Sequence, residues 1–475
     1  MPDWFAGAKF GVMIHWGPYS VPGWAERSGN IQDLWTSKGP AYQFKHSPYA
    51  EWYENTIRIP GSAAERHHAE TYGRDVPYER FGDEFAAASA NTDFAVWADL
   101  FARAGARYAV LTSKHMDGYR LWPSRYSRPG NESYQSPRDL VGDFATAVRD
   151  RGLKVGLYYC GGYDAVFNPT VIRDLETALT AIPQSREYAE YVTAHYAELI
   201  ERYQPSILWN DIAFPVQADA MRLVARYYNA VPDGLINDRW ANVRLPQGRL
   251  GRVLMATVLR AGAGLWPVLP RSWRRMQMLP AAHSDYLTPE YHVRREISER
   301  KWEAVRGVGH AFGINRAERD EDLLASGDLV HLLADVVSKN GNLLLGIAPE
   351  PDGTFPERQT KRLADLGDWL RVNGEAIYDT RPWVRADGVT HNGLAVRFTC
   401  TDDAVFAIIL GSPSSANITI EGLQVSPPAV VRLLGSNGTV TCNPSGRGTN
   451  FGLLERLPQS AAHVFRISPP PSATP

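Results

Sequence analysis

The feature that most constrains this chain is a cycle that recurs along its first half: an amphipathic helical stretch stopped by Gly or Pro, then a short apolar run ending abruptly in polar residues. Asp93–Ala104 carries Phe94, Val96, Trp97, Leu100 and Phe101 at helical spacing and stops at Gly105; Tyr108–Thr112 then reads as a strand leaving through Lys114-His115-Met116-Asp117. The cycle returns with the helix Asp139–Arg151 and strand Lys154–Tyr159, with Glu187–Tyr203 and Ile207–Asp211, and with Ala218–Asn229 and Gly234–Ile236. An earlier run, AKFGVMIHW at residues 8–16, supplies a first strand punctuated by Gly17-Pro18. Helices alternating with strands whose ends are polar argue for a parallel α/β architecture, where loops after the strands converge on one crevice. No glycine-rich nucleotide loop follows the first strand, so a (β/α)8-like barrel is favoured over an open doubly wound sheet.

From Arg244 to His283 the cycle breaks into a Gly-, Pro- and Arg-rich stretch, read as an insertion (244–283) over the barrel mouth that serves as a lid or an interaction surface. Its most apolar part, Arg252–Pro270, contains Arg260, several glycines and Pro267 and is rejected as a membrane span. The cycle resumes at Asp285–His292, followed by a helix-like Ile297–Gly307, the segment Ala311–Asn315, the helix Asp328–Ser338, the strand Asn342–Ile347 and the helix Glu357–Val372. After Trp383 the texture changes to short alternating runs (Leu394–Thr399, Val405–Leu410, Ala416–Ile420) separated by Gly, Asn and Ser, which predict a small C-terminal antiparallel β-sandwich. The expected plan is a barrel over residues 1–383, a sandwich over 384–467 and a disordered Pro/Ser tail over 468–475.

Two carboxylates fall at the polar exits, Asp211 and Glu290, together with His15, His115, Tyr158 or Tyr159, and Arg239. Such a set among tryptophans is what glycosidic bond cleavage requires: one carboxylate meets the oxocarbenium-like centre and the other, kept protonated, donates to the leaving oxygen. Each residue alone has a plainer reading. Asp211 serves as a turn or cap residue, His15 as a hydrogen-bonded core histidine, Arg239 as an ion-pair partner and Glu290 as a helix N-terminal acid. The pair His67-His68 lacks a third ligand at metal spacing and reads as surface. With 14 Trp and 22 Tyr the chain suits a sugar cleft, and a net charge of -2 gives no footprint for nucleic acid or an anionic membrane. Cys160, Cys400 and Cys442 do not make a disulfide framework; free thiols are expected, with Cys400–Cys442 the one pairing considered. No basic segment followed by an apolar one comes after Met1, so a cytoplasmic protein is expected.

Several stretches together resemble the α-L-fucosidases of glycoside hydrolase family 29, from about Phe5 to Trp383: KFGVMIHWGPYSVPGW, AEWYEN, AGARYAVLTSKHMDGYRLWPS, GLKVGLYYCGG, LWND, NDRW, TPEYH, VVSKNGNLLLGIAPEPDGTFP and NGEAIY. The resemblance implies a barrel followed by a β-sandwich and exo-acting release of terminal α-L-fucose from oligosaccharides or glycoconjugates. It also implies retention through a covalent glycosyl-enzyme, with no metal or organic cofactor. It assigns the nucleophile to Asp211 in LWND and the acid/base to Glu290 in TPEYH. It assigns sugar binding to His15, Glu51, Trp52, His115, Tyr158 (with Tyr159 as substitute) and Arg239, and Trp209, two residues before Asp211, is expected to bind substrate beside them. Met116 stands where the family usually shows a second histidine, and a thioether donates nothing to a hydroxyl. That departure implies weakened activity, altered sugar specificity, or compensation by a neighbour such as His46, while Ala165 in GGYDAVF implies a wider cleft. Two alternatives accompany the fucosidase reading: a sugar-binding homologue with weakened catalysis, and a glycosidase for a related sugar such as an α-L-galactoside. The Arg-rich insertion is also a candidate subunit contact of a homo-oligomer.

Overall fold

The computed structural model describes residues 1–274 and 279–473. Seven parallel strands, β1 (Phe10–Ile14), β2 (Tyr108–Lys114), β3 (Lys154–Cys160), β4 (Ile207–Asp211), β5 (Leu235–Ile236), β6 (Trp302–Gly307) and β7 (Gly341–Ile347), form one sheet in the order β5-β4-β3-β2-β1-β7-β6. Residues 285–291 bridge β5 to β6 as an irregular eighth stave. The Asp285 amide donates to the Ile236 carbonyl at 3.1 Å, and Leu287 and Tyr291 pair with the Lys301 and Val305 carbonyls. Pro289 has no amide to offer, which is why this stave makes isolated bridges and no continuous ladder. The (β/α)8-like barrel is thereby closed.

Strand parity sorts the core into two layers. Val12, Ile14, Leu111, Val155, Leu157, Tyr159 and Leu208 face the surrounding helices, while Met13, Val110, Tyr158, Cys160, Ile207, Trp209 and Val305 fill the barrel interior. The helices Phe94–Arg103, Leu140–Asp150, Arg186–Tyr203 and Ala220–Ala230 each start on a side-chain cap, from Asp93, Asp139, Ser185 and Asp219 respectively. One expectation fails: Ile297–Gly307 is not helical, because Trp302–Gly307 is β6. Its Glu and Arg residues imitate helical polar spacing. Both faces of the strand are nevertheless buried, and Glu303 points into the barrel, where it accepts from Tyr108 Oη at 2.6 Å.

Beyond the helix Glu357–Asn373, a five-stranded antiparallel sheet runs in the spatial order Val430–Leu433, Ala462–Ser468, Val405–Leu410, Ala395–Cys400, Arg381–Val389. It packs through Phe398, Ala407, Ile409 and Phe465 on a three-stranded sheet whose core residues include Ile418, Ile420 and Phe451. Its other face continues the barrel's helix layer through Phe406, Ile408 and Val464, and Trp369 Nε1 donates to the Ala462 carbonyl at 3.0 Å. In the tail expected to be disordered, Ser468 ends a strand and Ser472–Ala473 pair with Leu423–Gln424; residues 474 and 475 lie outside the described residues. Cys160, Cys400 and Cys442 are free thiols. Among the described residues, no helix is long and apolar enough to cross a membrane.

The mouth of the barrel is braced by a buried ion pair. Lys114, at the end of β2, reaches Asp164 Oδ2 at 3.0 Å, donates to the Cys160 and Tyr163 carbonyls, and lies 4.8 Å from the Tyr159 ring centroid. It ties the loop after β3 to β2, and Tyr163 of that loop lines the pocket described below. Lys114→Met leaves the Asp164 carboxylate buried without its cation, so a loss of about 3–5 kcal/mol is expected. A urea midpoint no lower than that of the parent chain refutes the bracing role.

Candidate active site

Asp211 is the last residue of β4, abreast of Cys160 on β3. Its Oδ2 accepts from Tyr158 Oη at 2.6 Å, and its Oδ1 accepts from Arg239 Nη1 and from the Ile212 amide, both at 2.8 Å. Glu290 lies on the irregular stave, where Oε1 accepts from Tyr49 Oη and Oε2 from Arg239 Nη2 at 3.1 Å. One guanidinium therefore joins both carboxylates. Arg239 is itself 3% exposed, lies 4.5 Å from the Trp209 ring centroid and donates further to the Thr288 hydroxyl and carbonyl. Burial alone lowers its pKa, but Asp211, Glu290 and Asp238 outweigh burial and raise it.

The backbone after both carboxylates is unusual. Ile212 has φ 69° and Tyr291 φ 49°, in the left-handed region that β-branched and bulky residues avoid. Close approach makes room for the first: a Cβ on Gly161 would meet Asn210 Oδ1 at 2.3 Å, and one on Gly162 would meet the Ala213 amide nitrogen at 2.6 Å. The GG pair after β3 lets the Asp211 turn close over it.

These groups line a pocket of about 220 Å³ with His15, Glu51, Trp52, His115, Tyr158, Trp209 and Phe312. Tyr158, not Tyr159, is in the site, because strand parity turns Tyr159 to the helix layer, where it meets His195. Tyr158 stacks between the near-parallel His115 ring (5.6 Å, 8°) and Trp209 (5.4 Å, 23°). Burial drives the pKa of His15 far down, with His115 adding to the effect, and burial with help from Lys114 takes His115 to about 3. Both imidazoles are neutral and buried, and neither Nδ1 finds a hydrogen-bond partner among the described residues. Glu51 accepts from the Gly313 amide at 2.8 Å, yet burial pushes its carboxyl up to about 8, so it is a neutral acid at neutral pH.

Of the residues expected at the site, all nine (Asp211, Glu290, His15, Glu51, Trp52, His115, Tyr158, Trp209 and Arg239) line this one pocket. Met116 does not; it is buried in the barrel interior, and its carbonyl accepts from the Ala165 amide. His46 is not available as its stand-in, being paired with Glu26 at 2.9 Å and stacked on Tyr42, and Ala165 does not line the pocket either. His67-His68 is only partly surface. Successive helix positions diverge by about 100°, so His67 stacks on Trp24 while His68 is buried between Tyr53 Oη and the Val76 carbonyl. Sequence reasoning missed Tyr49, Thr288, Phe312 and Glu303. Tyr49 precedes Glu51 by two residues and was within reach of the EWY motif; Glu303 was hidden by the helical reading of β6. Among the described residues, no cluster of three or more His, Cys, Asp or Glu could hold a metal ion.

A (β/α) barrel with carboxylates gathered at the C-terminal ends of its strands, in an aromatic pocket, has the build of a glycoside hydrolase. The comparisons make that specific: the family model described as Alpha-L-fucosidase matches residues 1–253 and 272–375, and the chain belongs to that family. The tissue alpha-L-fucosidase of Bos taurus is 30% identical over 470 residues, covering 97% of this chain and 85% of its own. The alpha-L-fucosidase of Dictyostelium discoideum is 26% identical, covering 98% and 92%. The crystal structure of Thermotoga maritima alpha-fucosidase in complex with fucose superposes with a TM-score of 0.80 at 38% identity, covering 98% of this chain and 97% of its own.

Glu51 makes a prediction about pH. Between the ordinary carboxylate range and about 8, the folded chain holds a proton on Glu51 that the unfolded chain has released. Folding therefore takes up a proton, and this contribution to stability is lost as pH rises through that window. Glu51→Gln removes the exchange, so its melting temperature should fall less than that of the parent between about pH 5 and about pH 8. Parallel melting curves across that range would falsify the buried neutral acid.

Proposed function

We propose that this member of the alpha-L-fucosidase family releases terminal α-L-fucose from oligosaccharides or glycoconjugates with retention of anomeric configuration. Asp211 attacks the anomeric carbon while Glu290 gives a proton to the departing glycosidic oxygen. The glycosyl ester on Asp211 is then opened by a water molecule that returns its proton to Glu290. The observation that carries this reading is the Arg239 guanidinium, which holds Asp211 and Glu290 on one pocket wall through its two Nη atoms. Tyr158 and Arg239 aim Asp211, and charge-assisted bonds of that kind fix a carboxylate's orientation at the moment of attack. The neutral His15 and His115 offer ring nitrogens to sugar hydroxyls, and Trp52 and Trp209 supply apolar faces.

A second assignment of the proton donor has a specific observation behind it: Glu51 lines the same pocket and is kept neutral by burial, as a general acid must be. Leaving-group dependence separates the two. The variant of the true acid keeps its rate on an aryl fucoside with a strongly acidic phenol and loses it on an alkyl fucoside, whereas the other variant loses rate on both to the same degree. Glu290→Gln is expected to show the split and Glu51→Gln the parallel loss. Asp211→Ala is expected to lower kcat at least about 1,000-fold on every aryl α-L-fucoside. Proton NMR of the first-formed fucose should show the α anomer; the β anomer, or undiminished turnover by Asp211→Ala, overturns the double displacement.

A further inference from the structure

The segment after β5 differs from the rest of the surface. Between Ala241 and Arg274 the sequence holds six arginines and no Asp, Glu or Lys, in a chain of net charge -2. Gly248–Leu265 forms an 18-residue helix without a buried residue. Leu250, Val253, Leu254, Val258 and Leu265 recur at helical spacing along it and are 55–84% exposed, with Arg249 and Arg260 along one edge of the stripe. The patch continues in Val268 (77% exposed) and Trp273 (72% exposed). A surface helix ordinarily turns such a stripe toward the core; this one turns it to solvent. The family model matches on either side but leaves residues 254–271, most of the helix, unmatched.

The helix lies at the mouth of the active-site pocket. Arg260 pairs with Glu176 at 2.9 Å, on the helix Leu175–Thr180. Trp266 Nε1 donates to the Trp35 carbonyl at 3.1 Å, on the helix Ile31–Lys38, and its ring sits 3.1 Å from where a Cβ on Gly39 would stand. Leu175, Leu179 and Trp35 on those two helices line the pocket, as does Leu279 from the far end of the insertion. Two kinds of occupant could cover the stripe. A second copy packed about a two-fold axis would set this helix against itself, arginines facing arginines with no carboxylate in the segment to neutralise them. An apolar stripe bordered by arginine, with an exposed tryptophan close by, instead matches the boundary between anionic headgroups and acyl chains.

We propose that this face docks on the surface of an anionic lipid bilayer, the helix lying in the interface plane and the pocket mouth beside the membrane. This departs from the expectation of no membrane partner, which uses the charge of the whole chain; within 241–274 six arginines stand without a carboxylate. The docked orientation, which rests on the fucosidase reading, presents the pocket to fucosides anchored in the same membrane.

The test is co-sedimentation of the full chain with vesicles of mixed phosphatidylglycerol and phosphatidylcholine, against phosphatidylcholine alone. Binding is expected on the anionic vesicles only. It should weaken with added salt, fall about fivefold in Arg249→Gln, at the edge of the stripe, and vanish in the double variant Leu254→Glu/Val258→Glu. That double variant should keep its melting temperature and its rate on a soluble aryl α-L-fucoside, while losing rate on a fucosylated lipid held in the vesicles. Equal binding to both vesicle types, binding indifferent to Leu254→Glu/Val258→Glu, or a stripe-dependent dimer in sedimentation velocity without vesicle binding overturns the docking. Docking with unchanged rates on the lipid-borne fucoside overturns the orientation. Absence of any fucosidase activity in a chain that binds vesicles counts against the proposed function alone.

Discussion

A guanidinium taken almost wholly out of water must be neutralised and hydrogen-bonded where it lies, and in this barrel Arg239 meets that demand with Asp211, Glu290 and Thr288. The requirement runs both ways. Asp211 arrives at the end of β4, Glu290 on the irregular stave between β5 and β6, and Arg239 on the loop after β5; only a closed barrel brings three such segments to one point. Thr288 is held in turn by Asp238, the residue preceding Arg239, whose Oδ1 accepts both its hydroxyl and its amide. The irregular stave is thus fastened to the loop after β5 by the groups that orient the arginine.

The rest of the pocket follows from placing titratable groups in a poorly solvated space. His15 and His115 lose their charge to burial, Glu51 keeps its proton, and deeper in the barrel Glu303 is raised to about 7 despite accepting from Tyr108 and Trp209. Among the described residues that line the pocket, the one strong cation, Arg239, faces the pair of carboxylates, and His15, His115 and Glu51 are neutral hydrogen-bond partners. In the proposed reaction that division puts the charged groups beside the carbon where positive charge develops and leaves neutral dipoles for the sugar hydroxyls. Backbone strain falls at the same points, since the left-handed residues Ile212 and Tyr291 each follow one of the two carboxylates.

Much of this was legible in the sequence because barrel chemistry is tied to strand ends. The apolar run Ile207-Leu208-Trp209 stopping at Asn210-Asp211 has the register seen in β4, and Arg239 sits just past the next strand as the alternation implied. The choice between Tyr158 and Tyr159 could not be made without parity, which depends on where β3 begins relative to its neighbours. The reading of β6 as helical failed for the same reason that Glu303 was missed: a barrel strand buried on both faces has no period-2 polarity to display, and an inward glutamate looks like a solvated one. Tyr49 joins Glu290 from 241 positions away, a contact that closure of the barrel creates and that local pattern does not report.

Total charge is likewise a poor guide when charge is segregated. A net value of -2 averages an arginine-bearing segment free of carboxylates with a remainder that is more acidic than the total. The helix Gly248–Leu265 has the composition of an ordinary amphipathic helix, and nothing in its sequence says which side faces the barrel. Packing decides: Trp266 is anchored on the helix Ile31–Lys38 and Arg260 on the helix Leu175–Thr180, and this pair of contacts leaves the leucine and valine stripe outward. Both of those helices contribute to the wall of the pocket, through Trp35, Leu175 and Leu179. Whatever settles on the stripe therefore lies one helix away from the entrance to Asp211, so the proposed docking face and the pocket mouth are neighbours.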